Sequence, residues 1–510
     1  MDTKLIAALR KVLSRETGQS IELIETHLSW ILLAPVYAYK LKKPVRLPFV
    51  DFSSVQARKH FCEEELRLNR RFAPRLYLDV VPVRGTPKAP RLDGGNAGEP
   101  IDHVVRMRRF AQSSLLRNLL LSGGLEPVWL DGLARHLAQL HATAPVSRSS
   151  GWGSPRRIFR LAADVLAALQ AKGEDPRHGA LGVWLQAQDA ALSSTWSARQ
   201  RGGSVRECHG DLHMGNVALI DGELVPFDCI EFDPGLRWID VMSDVAFLTM
   251  DLKAHGRADL AFRFLDAWLQ CSGDYAGLAV LRFYEVYRAM VRAMTCGLSK
   301  PPPPQMPSPD YLACAVQGCA PTRDNARLMI TYGLSGSGKS TLASQLLRTA
   351  QAIRIRSDVE RKRLFGLAPL ERSMALGLDI YTEQATLDTF DSLWHRAREA
   401  LQADYPVIVD AAFLLARERR RFQTLAAELR VPFSVLHCKA SPETLRHRLA
   451  ARNASGADAS EADVKVLERQ LANRQPLETD EQAFAIEVCT EDGVDVDALV
   501  ARWQAATTPT

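Results

Sequence analysis

No run of apolar residues in this chain reaches the about 18 positions that a membrane-crossing helix requires, so no span is expected. Nine cysteines are scattered without a single CxxC pair. That argues against a zinc site or a disulfide framework and fits reduced thiols. The opening Met1-Asp2-Thr3-Lys4 lacks the basic-then-apolar order of a signal peptide, and a cytoplasmic location is the expectation. No charge sign dominates: 64 basic against 59 acidic residues leave +5, too little by itself to argue for nucleic acid. No solenoid-type repeat is present. At 510 residues, 46% hydrophobic and 24% charged, the chain is of ordinary globular composition and too long for one core.

What is present is chemically specific. Gly333-Leu334-Ser335-Gly336-Ser337-Gly338-Lys339-Ser340-Thr341 fits G-x-x-x-x-G-K-[ST]. Its glycines let the backbone wrap inward, so that successive N–H groups point at phosphate oxygens. Lys339 would reach the β- and γ-phosphates, and the Ser340 hydroxyl would hold Mg²⁺. The apolar run Leu328–Tyr332 reads as a strand before the loop. Leu342 to Arg348 reads as a helix after it, its N-terminus facing the phosphates. An ATP site is expected here.

The N-terminal part reads as a helix over residues 1–20, then two strands, Thr26–Leu33 and Val36–Lys42, joined at Ala34-Pro35. Lys40 and Lys42 share one face by the period of two, and a lysine on a strand is ordinarily a solvated edge residue. A helix from Ser54 to Phe72 carries Glu63, Glu64 and Glu65, a pattern that usually marks a wet face. Strand-like runs Leu76–Val83 and Asp102–Met107 flank a Gly/Pro-rich insert, Gly85–Pro100, read as a mobile loop. A largely helical stretch follows to about Gln200, in which His141 reads as a packed or capping histidine. Then comes Cys208-His-Gly-Asp-Leu-His-Met-Gly-Asn216. Asp211 and Asn216, five apart on a tight loop, can face one metal–phosphate centre, the first accepting a hydroxyl proton and the second ligating Mg²⁺. Asp228 stands at the end of a strand-like run, where a further Mg²⁺ ligand would sit.

The segment His209-Gly-Asp-Leu-His-x-x-Asn216 followed by Asp228 resembles the aminoglycoside phosphotransferase and choline kinase group, over about residues 20–300. The resemblance implies a protein-kinase-like fold, with Asp211 as catalytic base and Asn216 and Asp228 as Mg²⁺ ligands. It also implies His209 as an orienting residue and Asp244 as a carboxylate supporting the loop. Lys40 would then bind the ATP phosphates, with Glu64 or Glu65 as its helix partner and Lys42 as the alternative lysine. Met107–Phe110 would be the hinge at adenine. One departure stands out: Leu28–Pro35, where the group has a glycine-rich flap, contains no glycine.

Ser299–Pro309, with four consecutive prolines, reads as an extended spacer between domains. Beyond it, Ala352–Asp358 reads as a strand ending in a carboxylate. Asp358 is placed to meet an acceptor hydroxyl and Arg361 to pair an anionic substrate group; Ser357-Asp358 capping the next helix is the plainer reading and is compatible with it. Pro406–Asp410 has the apolar-then-Asp form of a Mg²⁺-site strand, but Ala411 follows where motor ATPases carry a glutamate. Arg448 and Arg452, four apart, share a helix face before a small-residue loop and a returning helix. This combination reads as a lid whose arginines neutralise charge on ATP. Together these features resemble the P-loop kinases of small molecules and of polynucleotide 5′-hydroxyls, including zeta-toxin and chloramphenicol phosphotransferase relatives, over about 325–505. That resemblance implies Asp358 as general base and Arg361 as a substrate contact. The order of modules resembles the bacterial group described as bifunctional aminoglycoside phosphotransferase/ATP-binding proteins.

The expected architecture is therefore a kinase-like α+β domain over 1–298, a Pro-rich linker over 299–323, and an α/β P-loop kinase domain with a parallel sheet and lid over 324–510. The expected function is transfer of the γ-phosphoryl of Mg·ATP to a hydroxyl of a small molecule. Asp211, Asp358 and Lys339 would be catalytic. Two other readings stay open: 5′-hydroxyl polynucleotide kinase activity of the C-terminal domain, with nucleic acid as partner, and a regulatory ATP-binding protein with an inactive N-terminal module.

Overall fold

Short runs rich in β-branched and aromatic residues, separated by tight turns, build the first sheet. The computed structural model describes residues 2–47, 50–92, 98–296, 309–320, 325–373, 377–455, 458–506 and 508. The first strands are β1 (Glu22–Glu25), β2 (Ser29–Leu33), β3 (Tyr37–Lys42), β4 (Arg46–Leu47), β5 (Val50–Asp51), β6 (Tyr77–Thr86), β7 (Ala89–Leu92) and β8 (Asp102–Arg108). Six of them form an antiparallel sheet in the order β1-β2-β3-β8-β6-β7. The helix Asp2–Thr17 lays Leu5, Leu9 and Leu13 on one face, against Leu32, Leu41 and Val104. The helix Val55–Phe72, capped by the Ser54 side chain, covers the other face, where Cys62 meets Val105 and Met107. The period of two puts Tyr39 and Leu41 of β3 into the first cluster and Ala38 into the second, and therefore Lys40 and Lys42 onto the second face as well.

Two expectations are corrected here. β3 is an interior strand between β2 and β8, so its lysines are buried rather than solvated at an edge. The insert Gly85–Pro100 is not all loop: β7 lies inside it and pairs with β6, although 93–97 fall outside the described residues.

The rest of this unit is mostly helical, with small ribbons of β9 (Val205–Glu207), β10 (Val217–Ile220), β11 (Glu223–Pro226) and β12 (Trp238–Asp240) around the loop 208–216. The chain packs as two units, Met1–His255 with Phe283–Cys319 and Gly256–Arg282 with Ala320–Thr510. Within the second unit, the helix Ala258–Ser272 packs on the helix Lys339–Thr349, and Asp266 pairs with Arg354 at 2.8 Å. Within the first, the helix Tyr311–Gly318 is anchored by the Tyr311 hydroxyl, which donates to Asp251 Oδ1 at 2.6 Å. The four-proline run lies outside the described residues.

The second unit holds β13 (Leu328–Tyr332), β14 (Ile353–Arg356), β15 (Val407–Asp410), β16 (Phe433–Lys439) and β17 (Ala485–Cys489), all parallel in the order β14-β15-β13-β16-β17. All five residues of β13 are buried, as a strand covered on both faces requires. With β15 on one side and β16 on the other, β13 lies where the chain's progression through the sheet reverses. A crevice opens at the carboxyl ends of strands at such a point. Among the described residues no helix is long and apolar enough to cross a membrane.

Candidate active sites of the two units

In the first unit the loop after β9 is held in shape before any substrate arrives. Gly210 has φ +85°, and a Cβ there would lie 2.7 Å from the Leu236 carbonyl oxygen, so glycine is required. Asp244, fully buried, accepts the N–H groups of His209 at 2.7 Å and Gly210 at 2.8 Å. His141 Nε2 stands 3.4 Å from the same carboxylate and is a packed residue, as its sequence context suggested. His209 Nε2 contacts the Phe227 carbonyl at 2.9 Å. Asp244 and His209 thus fix the loop from beneath.

The loop presents Asp211, whose Oδ2 accepts from Asn216 Nδ2 at 2.9 Å and lies 3.5 Å from His213 Nε2. Burial pushes the Asp211 carboxyl up, but His213, Arg292 and His209 outweigh it and hold it well below the usual carboxylate range. It stays ionised at neutral pH and can accept a hydroxyl proton donor. Asp228 sits in the left-handed region at φ +63°, with its N–H on the Tyr77 hydroxyl at 3.1 Å.

Lys40 joins this end to the sheet. Its ammonium is 2.7 Å from Glu65 Oε1 and 2.5 Å from Asp228 Oδ1. Of the two glutamates that the sequence left open, Glu65 is therefore the partner, and it is completely buried rather than on a wet face. Glu64 instead pairs with Arg67 at 2.9 Å and Arg237 at 3.6 Å. Lys42 is no rival for Lys40. It pairs with the other oxygen of Glu65 at 2.7 Å and with Glu231, a residue the sequence reading did not single out. The signals were there: Lys42 shares the face of Lys40, and Glu231 lies three positions past Asp228. Burial disfavours charge throughout the cluster. Asp228 and Glu65 hold the Lys40 ammonium charged, and the two lysines hold Glu65 ionised. Glu231 is the member least served. Burial, with Glu65 adding to it, outweighs the lysines and raises its carboxyl. Phe110 of the expected hinge packs edge to face on Phe227, 5.2 Å between centroids.

In the second unit the phosphate loop follows β13. Gly336 has φ +85° and a Cβ there would meet the Leu445 carbonyl oxygen at 2.8 Å. Ser335, Gly336, Gly338, Lys339, Ser340 and Thr341 line a cleft of about 750 Å³, while Gly333, Leu334 and Ser337 lie outside its lining. Lys339 Nζ donates to the Leu334 carbonyl at 2.8 Å, and burial lowers its pKa against the pull of Cys438, Asp410 and Asp358. The Ser340 hydroxyl lies 3.1 Å from Asp410 Oδ1. Asp410 Oδ2 is buried and has no hydrogen-bond partner among the described residues, with Arg356 Nε 3.7 Å away.

Asp358 lies in the first turn of the helix Ser357–Leu364, whose cap residue is Arg356. The Ser357-Asp358 cap is therefore not formed, and Asp358 lines the cleft instead. Arg361, one turn on, lines it too. Its Nη1 donates to the Ile380 carbonyl at 3.0 Å and to Thr386 Oγ1 at 3.2 Å. Arg448 and Arg452, from the helix Pro442–Ser455, complete the wall. Arg448 bonds Thr490 O at 2.7 Å, Thr490 Oγ1 at 2.8 Å and Gly336 O at 3.4 Å, which ties the phosphate loop to the segment after β17. Arg452 donates to the Ala462 carbonyl at 2.7 Å.

The oxygen-donor pairs suit a hard divalent cation. In the second unit the Asp410 carboxylate, with Oδ1 at Ser340 and Oδ2 without a hydrogen-bond partner among the described residues, would be a ligand, and in the first Asn216 and Asp228 would offer an amide and a carboxylate oxygen.

Two family models match successive parts of the chain. The model of the phosphotransferase enzyme family matches residues 51–284, and an AAA domain model matches 328–477. An uncharacterized protein of Mycobacterium tuberculosis is 30% identical over 450 residues, covering 86% of this chain and 88% of the relative. Among solved structures, a choline/ethanolamine kinase family protein from Mesorhizobium loti is 11% identical over 62% of this chain and 93% of its own, with TM-score 0.38. The APS kinase of Mycobacterium tuberculosis is 20% identical over 35% of this chain and 95% of its own, with TM-score 0.26.

Proposed function

Because the chain belongs to the same family as the mycobacterial protein, with a phosphotransferase domain of the aminoglycoside phosphotransferase type followed by a P-loop kinase domain, we propose that each unit transfers the γ-phosphoryl group of ATP to a hydroxyl of a small molecule. The observation that carries this reading is the cleft of the second unit. A phosphate loop, the Ser340–Asp410 pair and the Asp358 carboxylate line one space there. The acidic neighbour that would activate water after Asp410 is Ala411, which favours transfer to an alcohol over hydrolysis.

In the second unit the acceptor oxygen bonds the γ-phosphorus, the bridging oxygen leaves with ADP, and the hydroxyl proton passes to Asp358. Lys339, Arg448 and Arg452 counter the charge of the phosphates. In the first unit Asp211 takes the proton, and Lys40, held by Glu65, meets the phosphates. Ser340 and Asp410 in one unit, and Asn216 and Asp228 in the other, would hold Mg²⁺, which when bound neutralises charge between the β- and γ-phosphates.

The test is acceptor-dependent ADP release by the full-length protein over an alcohol panel. Asp211→Asn and Asp358→Asn are each expected to remove one activity by about 10²–10⁴-fold and to spare the other. If neither changes any acceptor-dependent turnover, the reading fails. A regulatory first unit is the second reading, motivated by the glycine-free Leu28–Pro35 and by the two carboxylates already on Lys40. ATP binding without turnover in the Asp358→Asn protein would favour it.

A further inference from the structure

The cleft of the second unit extends beyond its phosphate-binding end to Phe390, Phe413 and Glu418, none of which serves the transfer step. Phe413 is fully buried and stacks edge to face on Phe422 at 5.0 Å and on Phe390 at 5.2 Å. Phe390 is the half-buried end of that row, so an apolar ring surface borders the cleft. A row of stacked phenylalanines is ordinarily core packing, and here the inner two are that.

Glu418, in the first turn of the helix Ala416–Leu429, borders the same end. It forms no ion pair among the described residues, and burial raises its carboxyl despite the Leu415 N–H and nearby arginines. Arg361, a cleft-lining guanidinium whose charge both Asp358 and Glu418 feel, is 7% exposed. Its Nη1 is committed to Ile380 and Thr386, its centre lies 5.1 Å from the Tyr381 ring centroid, and its Nε has no hydrogen-bond partner among the described residues. A ligand at this end therefore meets two carboxylates, Asp358 and Glu418, one unpartnered N–H and one aromatic face.

Those groups suit a particular chemistry. Hydroxyl groups donate to carboxylates, a hydroxyl oxygen accepts from Nε–H, and the C–H face of a carbon ring or chain packs on an aromatic ring. A phosphodiester chain would bring charge against both carboxylates, and a polyamine would bring charge against Arg361. Resting on the kinase reading of this cleft, we propose that Glu418 is an acceptor-binding residue and that the acceptor is an uncharged polyhydroxyl compound, a sugar or polyol, packed on Phe390. One of its hydroxyl oxygens bonds the γ-phosphorus, the bond to the bridging oxygen breaks, ADP leaves, and the proton goes to Asp358.

The experiment gives full-length protein labelled ATP with three acceptor arms: neutral hexoses and linear polyols, an aminoglycoside, and a 5′-hydroxyl oligonucleotide. Label is expected in a neutral acceptor and lost in Asp358→Asn. Glu418→Gln is expected to raise KM for that acceptor about tenfold, with KM for ATP within about twofold, because one charge-assisted hydrogen bond is lost. Phe390→Leu, expected to raise the acceptor KM severalfold, supplies the measurement if Glu418→Gln lowers the melting temperature. Transfer confined to the aminoglycoside or oligonucleotide arm, no transfer to any neutral acceptor, or an unchanged acceptor KM in both variants overturns the proposal. These outcomes leave the kinase reading standing. That reading fails only if Asp358→Asn alters ATP turnover in no arm.

Discussion

Replacing Lys42 by methionine separates two roles that the shared face of Lys40 and Lys42 entangles. The Lys42 side chain is 1% exposed, 2.7 Å from Glu65 Oε2 and paired with Glu231. Methionine keeps the stem and deletes the charge. Glu65 then still has Lys40 at 2.7 Å, whereas Glu231 loses its one ion-pair partner among the described residues. An unpaired buried carboxylate escapes by taking a proton. For a glutamic acid of ordinary pKa, about 4.3, that costs about 3.7 kcal/mol at pH 7 and about 1 kcal/mol at pH 5, at about 1.36 kcal/mol per unit. The first figure is a ceiling, because burial already raises the Glu231 carboxyl in the native chain. The expected loss is about 3 kcal/mol at pH 7, at the lower end of what breaking a buried pair costs. It is expected to shrink by about 2 kcal/mol at pH 5. At about 3 °C per kcal/mol, the melting temperature falls by about 9 °C at pH 7. Scanning calorimetry of the full-length protein at both pH values measures this on the transition that moves, since two units need not melt together. Adding Glu231→Leu restores most of the loss, because two apolar side chains replace the buried pair. A loss below about 1 kcal/mol at pH 7, or equal losses at both pH values, would refute the reasoning.

Three further outcomes follow from the geometry. Gly336→Ala forces a Cβ to 2.8 Å from the Leu445 carbonyl at φ +85°. ATP affinity of the second unit should drop at least about tenfold by calorimetric titration, and unchanged affinity would contradict the loop's role. Asp244→Asn puts an amide N–H against one of two backbone donors now held at 2.7 and 2.8 Å. A fall in kcat of the first unit of roughly tenfold or more is expected, with a smaller change in KM for ATP; the reverse pattern would count against a loop-supporting role. The Glu65 carboxyl is depressed by Lys40 and Lys42. Its contribution is therefore complete above about pH 4.3 and is lost as pH falls below it. The lysine pKa values are raised, so their contribution is complete below about pH 10.4 and is lost only on going above it. Denaturant unfolding against pH should show an acid-side loss of stability that is smaller in Glu65→Gln.

Local chemistry was legible in the chain itself. The phosphate loop with its strand and helix, the His209–Asn216 loop, Asp228 two positions past β11, and the strand ending at Asp410 each follow from residues adjacent in sequence. The rule behind each is a backbone rule: glycine where φ is positive, alternation on a strand, a carboxylate at a strand end. Burial was not legible in the same way. Glu63, Glu64 and Glu65 look alike in sequence, yet Glu63 is exposed and Glu65 is sealed between two lysines. Which of three adjacent helix positions faces a sheet depends on the phase of the helix against β3, and that phase is set by packing. That Glu418 lines the same cleft as Asp358 was not legible for the same reason, since nothing near it in sequence refers to Asp358.

By itself, then, the sequence determined which backbone turns could form and which polar and charged side chains stand near them, because those constraints act within a few residues. Only the tertiary structure decided which charges meet. Glu65 was chosen over Glu64, Lys42 was assigned to Glu231, and residues 256–282 were packed with the second unit. The physical reason is that the cost of an unpaired buried charge, several kcal/mol, is incurred only once the elements have come together.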